Sequence, residues 1–151
     1  MMSDLDDLYQ QVILDHGRKP RNFHAIDDAS GRAEGFNPLC GDRVTVYLKR
    51  DDGHIADAAF TGSGCAICTA SASMMTQVVK GKSLADIEMI FERFHEMTTG
   101  REFTPQQAEA LGKLAVFAGV KKYPVRVKCA TLPWHTLKAA IENKQQPVST
   151  E

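Results

Sequence analysis

The stretch Val44-Thr45-Val46-Tyr47-Leu48-Lys49 alternates apolar and polar side chains. A period of two marks a strand with one buried face. Asp51-Asp52-Gly53 follows as a turn signal, and Ile55–Thr61 reads as the returning strand. A further short strand fits residues 33–37. A sheet with one apolar face needs a second layer to cover it, and the remaining sequence supplies helical patterns. Leu5, Leu8, Tyr9, Val12 and Ile13 form one stripe behind a Ser3/Asp6 cap, and Gly17 and Pro20 stop it. Gly62-Ser63-Gly64 breaks the second strand and leads into a helix from about Cys65 to Lys80, with Gly81 at its end. Ser83 with Asp86 opens the next helix, carrying Leu84, Ile87, Ile90, Phe91 and Phe94. Thr104-Pro105 with Gln107 starts another that runs to about Phe117 and ends near Gly119. A last helix begins around Cys129 with Pro133 in its first turn, and buries Trp134, Leu137 and Ile141.

This order predicts an α+β fold: a small antiparallel sheet of about three strands packed against several helices. Residues 1–143 are expected to form a single domain, with 144–151 as a flexible polar tail. A chain of 151 residues, 43% hydrophobic and 25% charged, suits one globular domain. A net charge of −1 argues against a nucleic-acid partner. No apolar run approaches the ~18 residues of a membrane span, so no membrane partner is expected. The acidic start Met1–Asp7 lacks a secretory pattern, which predicts a cytoplasmic protein. Four cysteines in that setting favour metal binding or catalysis over disulfides.

Those cysteines sit in three places: Cys40 in a loop entering a strand, Cys65 and Cys68 at a strand-to-helix junction, and Cys129 where the last helix is expected to begin. Element ends are where functional residues concentrate, and helix N-termini favour thiolate over thiol. If the three segments converge, they give three sulfurs, with Asp42 offering an oxygen, a plausible tetrahedral zinc set. Arg126, Lys128 and the helix N-termini would offset its excess negative charge. Spacing alone does not decide for a metal. Cys40 to Cys65 is 25 residues and Cys65 to Cys129 is 64, no zinc-finger pattern, and buried small apolar residues plus one incidental thiol remain the other reading. Cys68, one turn beyond Cys65, reads first as a small core residue, with a spare ligand or resolving thiol as the other reading. His16, His24, His54, His95 and His135 lack metal-ligand spacing and read as surface residues. The basic stretch Lys121–Lys128 reads as a solvated connector or a docking surface.

Taken together, Asn37-Pro38-Leu39-Cys40-Gly41-Asp42, Gly62-Ser63-Gly64-Cys65-Ala66-Ile67 and Lys128-Cys129 resemble the U-type iron–sulfur cluster assembly proteins, the family of IscU, SufU and the N-terminal part of NifU. Leu8–His16 and Pro20-Arg21-Asn22 are similar too, so the resemblance spans about Leu5 to Ile141. Lys128, where scaffold-type members carry a His, and the added region Glu96–Gly119 resemble the SufU branch. Cys68 departs from the Ser or Ala of the pattern. The resemblance implies a SufU/IscU-like fold and a Zn2+ site built from Cys40, Asp42, Cys65 and Cys129. It implies a zinc-dependent sulfurtransferase that accepts persulfide sulfur on Cys40 from a SufS-type cysteine desulfurase and relays it to downstream Fe–S assembly proteins. The alternative is a scaffold on which a [2Fe–2S] cluster forms at the same residues. A structural zinc adaptor without turnover is a third reading.

Overall fold

A computed structural model of the protein describes residues 4–99, 106, 109, 111–143 and 148–149. Helix α1 (Asp4–Arg18) precedes three strands, β1 (Gly31–Asn37), β2 (Asp42–Asp51) and β3 (His54–Ser63). Then come α2 (Ala66–Val79), α3 (Leu84–Thr99), a 3₁₀ segment (Gly112–Lys122), α4 (Pro124–Glu142) and a short strand β4 (Val148–Ser149). The sheet order is β3-β2-β1-β4. β1, β2 and β3 pair antiparallel as predicted. The addition is β4, which pairs parallel with β1 through Gly35 and Phe36 and makes the sheet mixed.

The alternation along β2 does what its period demands. Val44, Val46 and Leu48 are buried while Arg43 is exposed and Thr45, Tyr47 and Lys49 are partly so. The β2–β3 hairpin closes through Asp52 and Gly53, with φ of 53° and 84°. Two positive φ values in a two-residue turn match the twist of the strands it joins. On the buried face, α4 crosses β1 and β2, and α2 packs beside α4. Gly31 and Gly35 allow that close approach, since a Cβ would overlap the Ala140 carbonyl or the Thr136 hydroxyl respectively. Trp134 on α4 is fully buried. Phe94 of α3 stacks on it at 4.8 Å and meets Phe117 edge-on at 5.7 Å.

Three expectations change. The last helix begins at Pro124, not near Cys129, so Pro133 lies in its interior and not in its first turn. Pro124 occupies the first helical turn, where a missing N–H costs nothing. Pro133 lacks the N–H that would bond the Cys129 carbonyl four residues back, and burial of α4 against the sheet and α2 sustains the helix in spite of it. The helix expected from Thr104 begins outside the described residues. Leu111 is helical, but Gly112 adopts φ of 58°, and the chain continues as 3₁₀ to Lys122, past Gly119. His16, read as a surface residue, is buried, with Nδ1 2.7 Å from Ser73 Oγ on α2. His135 is half-buried, whereas His24, His54 and His95 are exposed.

Candidate metal centre

Three chain segments meet at one end of the sheet. The first is the β1–β2 connection. Asn37 and Asp42 face each other as the last register pair of the two strands, leaving Pro38, Leu39, Cys40 and Gly41 to make the turn. Asn37 folds it. Its carbonyl accepts the Cys40 N–H at 3.3 Å and the Gly41 N–H at 2.9 Å, and its Oδ1 accepts the Leu39 N–H at 3.2 Å. Gly41 takes φ of 74°, a conformation glycine adopts without Cβ strain. The turn holds Cys40 out, exposed, with Leu39 beside it 63% exposed.

The second segment is the β3–α2 junction. Cys65 is the N-cap of α2, with extended backbone, and its Sγ accepts the Cys68 N–H at 3.4 Å. An N-cap side chain satisfies one of the open N–H groups of the first turn, and those N–H groups in turn favour thiolate. Asp42, fully buried at the start of β2, accepts the Cys65 N–H on Oδ1 at 2.8 Å. Its Oδ2 faces Cys65 Sγ at 4.0 Å. Gly64 makes room for this, because a Cβ there would lie 2.5 Å from Asp42 Oδ1.

The third segment is α4. Cys129 does not occupy the helix N-terminus expected of it; it is the sixth residue of α4 and is buried. Its thiol lies 3.6 Å from Cys40 Sγ, and Asn37 Nδ2 donates to its sulfur at 3.7 Å. Ser71 of α2 donates to the neighbouring Ala130 carbonyl at 2.6 Å, locking α2 to α4 beside the sulfur. Sequence reading missed both polar supports. Asn37 stood inside a cysteine motif but its amide had no assigned partner, and nothing local marked Ser71.

The ligand atoms of Cys40, Asp42 and Cys129 all lie within 4.8 Å of one another. Cys65, the fourth ligand expected, lies outside that group of three and approaches it at Asp42, its Sγ 4.0 Å from Oδ2. A proton shared from the Cys129 thiol, followed by the Cys68 N–H, draws the Cys65 thiol down to about 7. The Cys129 thiol moves up for the matching reason: its proton is held toward Cys65, and burial opposes its charge. Cys68, buried, packs with the hydrophobic core as read from sequence. Arg126, expected to offset charge here, stacks its guanidinium over the Tyr123 ring at 4.5 Å.

The donor set fits zinc. Two thiolates bound tetrahedrally at about 2.3 Å stand about 3.8 Å apart, and a thiolate and a carboxylate oxygen about 3.6 Å. The distances of 3.6 Å for Cys40–Cys129 and 4.0 Å for Cys65–Asp42 lie close to those values. A buried carboxylate among thiols is also costly unless a cation balances it.

The family model of the NifU-like N-terminal domain matches residues 8–130. The zinc-dependent sulfurtransferase SufU of Bacillus subtilis strain 168 is 41% identical over 143 residues, covering 95% of each chain. The iron–sulfur cluster assembly scaffold protein IscU of Streptococcus pyogenes serotype M1 is 43% identical over 141 residues, 93% of this chain and 87% of its own. A SUF-system iron–sulfur cluster assembly scaffold protein from Fervidobacterium islandicum AW-1 has a crystal structure that superposes with a TM-score of 0.82. It is 36% identical and covers 89% of this chain and 97% of its own.

Proposed function

The chain belongs to the NifU-like N-terminal domain family, and from that premise we propose that it is a zinc-dependent sulfurtransferase of iron–sulfur cluster assembly. Cys40, Asp42, Cys65 and Cys129 would hold the ion. When bound, zinc supplies a Lewis acid that keeps the thiols deprotonated and orders the three segments. The donor of sulfur is a SufS-type cysteine desulfurase in the cytoplasm, and the receivers are downstream Fe–S assembly proteins. Among the described residues no helix is long and apolar enough to cross a membrane.

The observation that carries this reading is the unequal exposure of the sulfurs. Cys40 is exposed on a turn, Cys65 is half-buried at a helix cap, and Cys129 is buried in α4. Only Cys40 can meet a partner's persulfide without rearranging a helix. Its thiolate attacks the outer sulfur of the desulfurase persulfide; the S–S bond there breaks, the desulfurase cysteine leaves as thiolate, and Cys40 carries the persulfide. The exposed Leu39 beside it supplies apolar contact for docking.

The test is direct. Zinc-loaded protein is incubated with a SufS-type desulfurase and L-cysteine, and its alkylated peptides are read by mass spectrometry. One added sulfur is expected on the Cys40 peptide, with Cys40→Ala abolishing it. Added sulfur on Cys65 or Cys129 alone, or none on any cysteine, rejects the assignment. The scaffold reading draws on the same residues and on the 43% identity to IscU of S. pyogenes. It wins if protein isolated without added metal is coloured and holds iron and sulfide in equal amounts instead of one zinc.

A further inference from the structure

Two thiols of the centre face each other directly. Cys40 Sγ and Cys129 Sγ lie 3.6 Å apart, although the residues are separated by 89 positions in the chain. The two differ in access. Cys40 is exposed on the β1–β2 turn, and Cys129 is 2% exposed within α4. The turn that carries Cys40 has open space around it. Leu39 stands exposed, and a Cβ added at Gly41 would meet nothing within 4 Å. Closing the gap to the roughly 2.05 Å of an S–S bond takes a shift of about 1.5 Å, which the turn can supply while the helix stays in place.

We propose that Cys40 and Cys129 are a peroxide-sensitive pair, whose oxidation to a disulfide releases the metal ion and closes the sulfur-accepting site. The release rests on the zinc reading above; the bond itself follows from the placement of the two thiols. An oxidant-sensing cysteine is accessible to solvent and stands beside a resolving thiol, and this pair meets both conditions. The Cys40 thiolate attacks one oxygen of hydrogen peroxide. The O–O bond breaks, hydroxide leaves, and Cys40 becomes a sulfenic acid. The Cys129 thiolate then attacks the Cys40 sulfur. The S–O bond breaks, a second hydroxide leaves, and the disulfide forms. Two thiols give up two electrons, and their two protons complete the two waters made from the peroxide. Asp42 and Cys65 then remain as donors, half of the set that a tetrahedral ion needs. The bridge also ties the exposed turn to α4 and occupies the sulfur that a partner's persulfide must reach. Sequence spacing points to a different bond, because Cys65 and Cys68 form a C-x-x-C pair. The structure argues against it. Cys68 is packed in the core, and it meets Cys65 Sγ with its backbone N–H.

The test uses zinc-loaded protein and hydrogen peroxide, with no desulfurase present. Free thiols are alkylated after the reaction, and the protein is digested without reductant. The Cys40 peptide is expected joined to the Cys129 peptide, with one zinc released per bridge to a chromogenic chelator. A thiol reductant and added zinc should restore the starting state. Cys129→Ser, lacking the second thiol, should carry Cys40 onward to sulfinic acid, whereas Cys68→Ala should leave the bridge unchanged. If Cys129→Ser does not fold, the peptide map of the parent protein decides. No bridge, or one joining Cys65 to Cys68 or to Cys129, overturns the proposal. A Cys40–Cys129 bridge formed without loss of zinc, or formed only in protein already stripped of zinc, overturns it as well. Protein that takes up no zinc at the outset refutes the metal reading itself, and the release with it. Sulfur transfer enters none of these measurements, so failure of the bridge leaves the role of Cys40 as acceptor to its own test.

Discussion

Burial separates the thiols Cys65 and Cys68, one helical turn apart. Cys68 is 3% exposed, and its proton is held well above the usual thiol range by burial, then by the negative charge of Asp42 and the neighbouring cysteines. A neutral buried thiol is neither a good nucleophile nor a ready ligand. Cys68→Ala is therefore expected to keep bound zinc and sulfur acceptance while losing about 0.5–1.5 kcal/mol, the cost of a small core deletion. Metal analysis and thermal melting of the variant check both halves, and loss of zinc would return Cys68 to the site. At this scale the sequence was informative where chemistry was written into motifs: Cys40, Asp42, Cys65 and Cys129 stood in segments of recognisable pattern. Asn37 and Ser71 were not legible as supports because their partners lie 92 and 59 residues away. Only the fold brings those groups together.

Between elements, one buried hydrogen bond ties the first helix to the rest. His16 near the end of α1 meets Ser73 of α2. Burial, followed by the charge of Arg21, holds the His16 imidazole below its usual value of 6.5. The folded state thus binds fewer protons than the unfolded state at mildly acid pH. Stability is full above about pH 6.5 and falls as pH drops below that value. His135, lowered chiefly by burial, adds with the same sign. Melting temperature is expected to fall between pH 7.5 and pH 5.5, and His16→Gln to flatten that slope; an unchanged slope in the variant would remove His16 from the account. The pattern of α1 gave its helix but not the burial of His16: four residues past Val12 and three past Ile13, it continues the apolar stripe, but its polar ring made it read as a surface residue. The strand alternation and the Asp52-Gly53 turn were fully readable, since both are local. The start of α4 was not read, although Pro124 is a strong start signal. Cys129 and Pro133 together drew the boundary five residues too far along the chain, counting from Pro124 to Cys129.

Across the whole molecule, the proposed ligands come from the β1–β2 turn, the β3–α2 junction and the middle of α4. An ion that binds only when all three are assembled adds its binding energy to folding. Removing zinc with a chelator is expected to lower the melting temperature, and restoring one equivalent to recover it. A melt unchanged after verified removal would show that the core around Trp134 holds the three segments unaided.

The narrow strand β4 has a consequence at the scale of many molecules. Without it, β1 would form the open rim of the sheet, and unpaired peptide groups on such a rim are templates for strands from neighbouring chains. Val148 and Ser149 cover the rim at Gly35 and Phe36, next to the turn that exposes Cys40. Farther along, Arg32 and Glu34 point charged side chains outward from β1. Val148–Ser149 and two charges thus guard this edge against strand addition from neighbouring molecules.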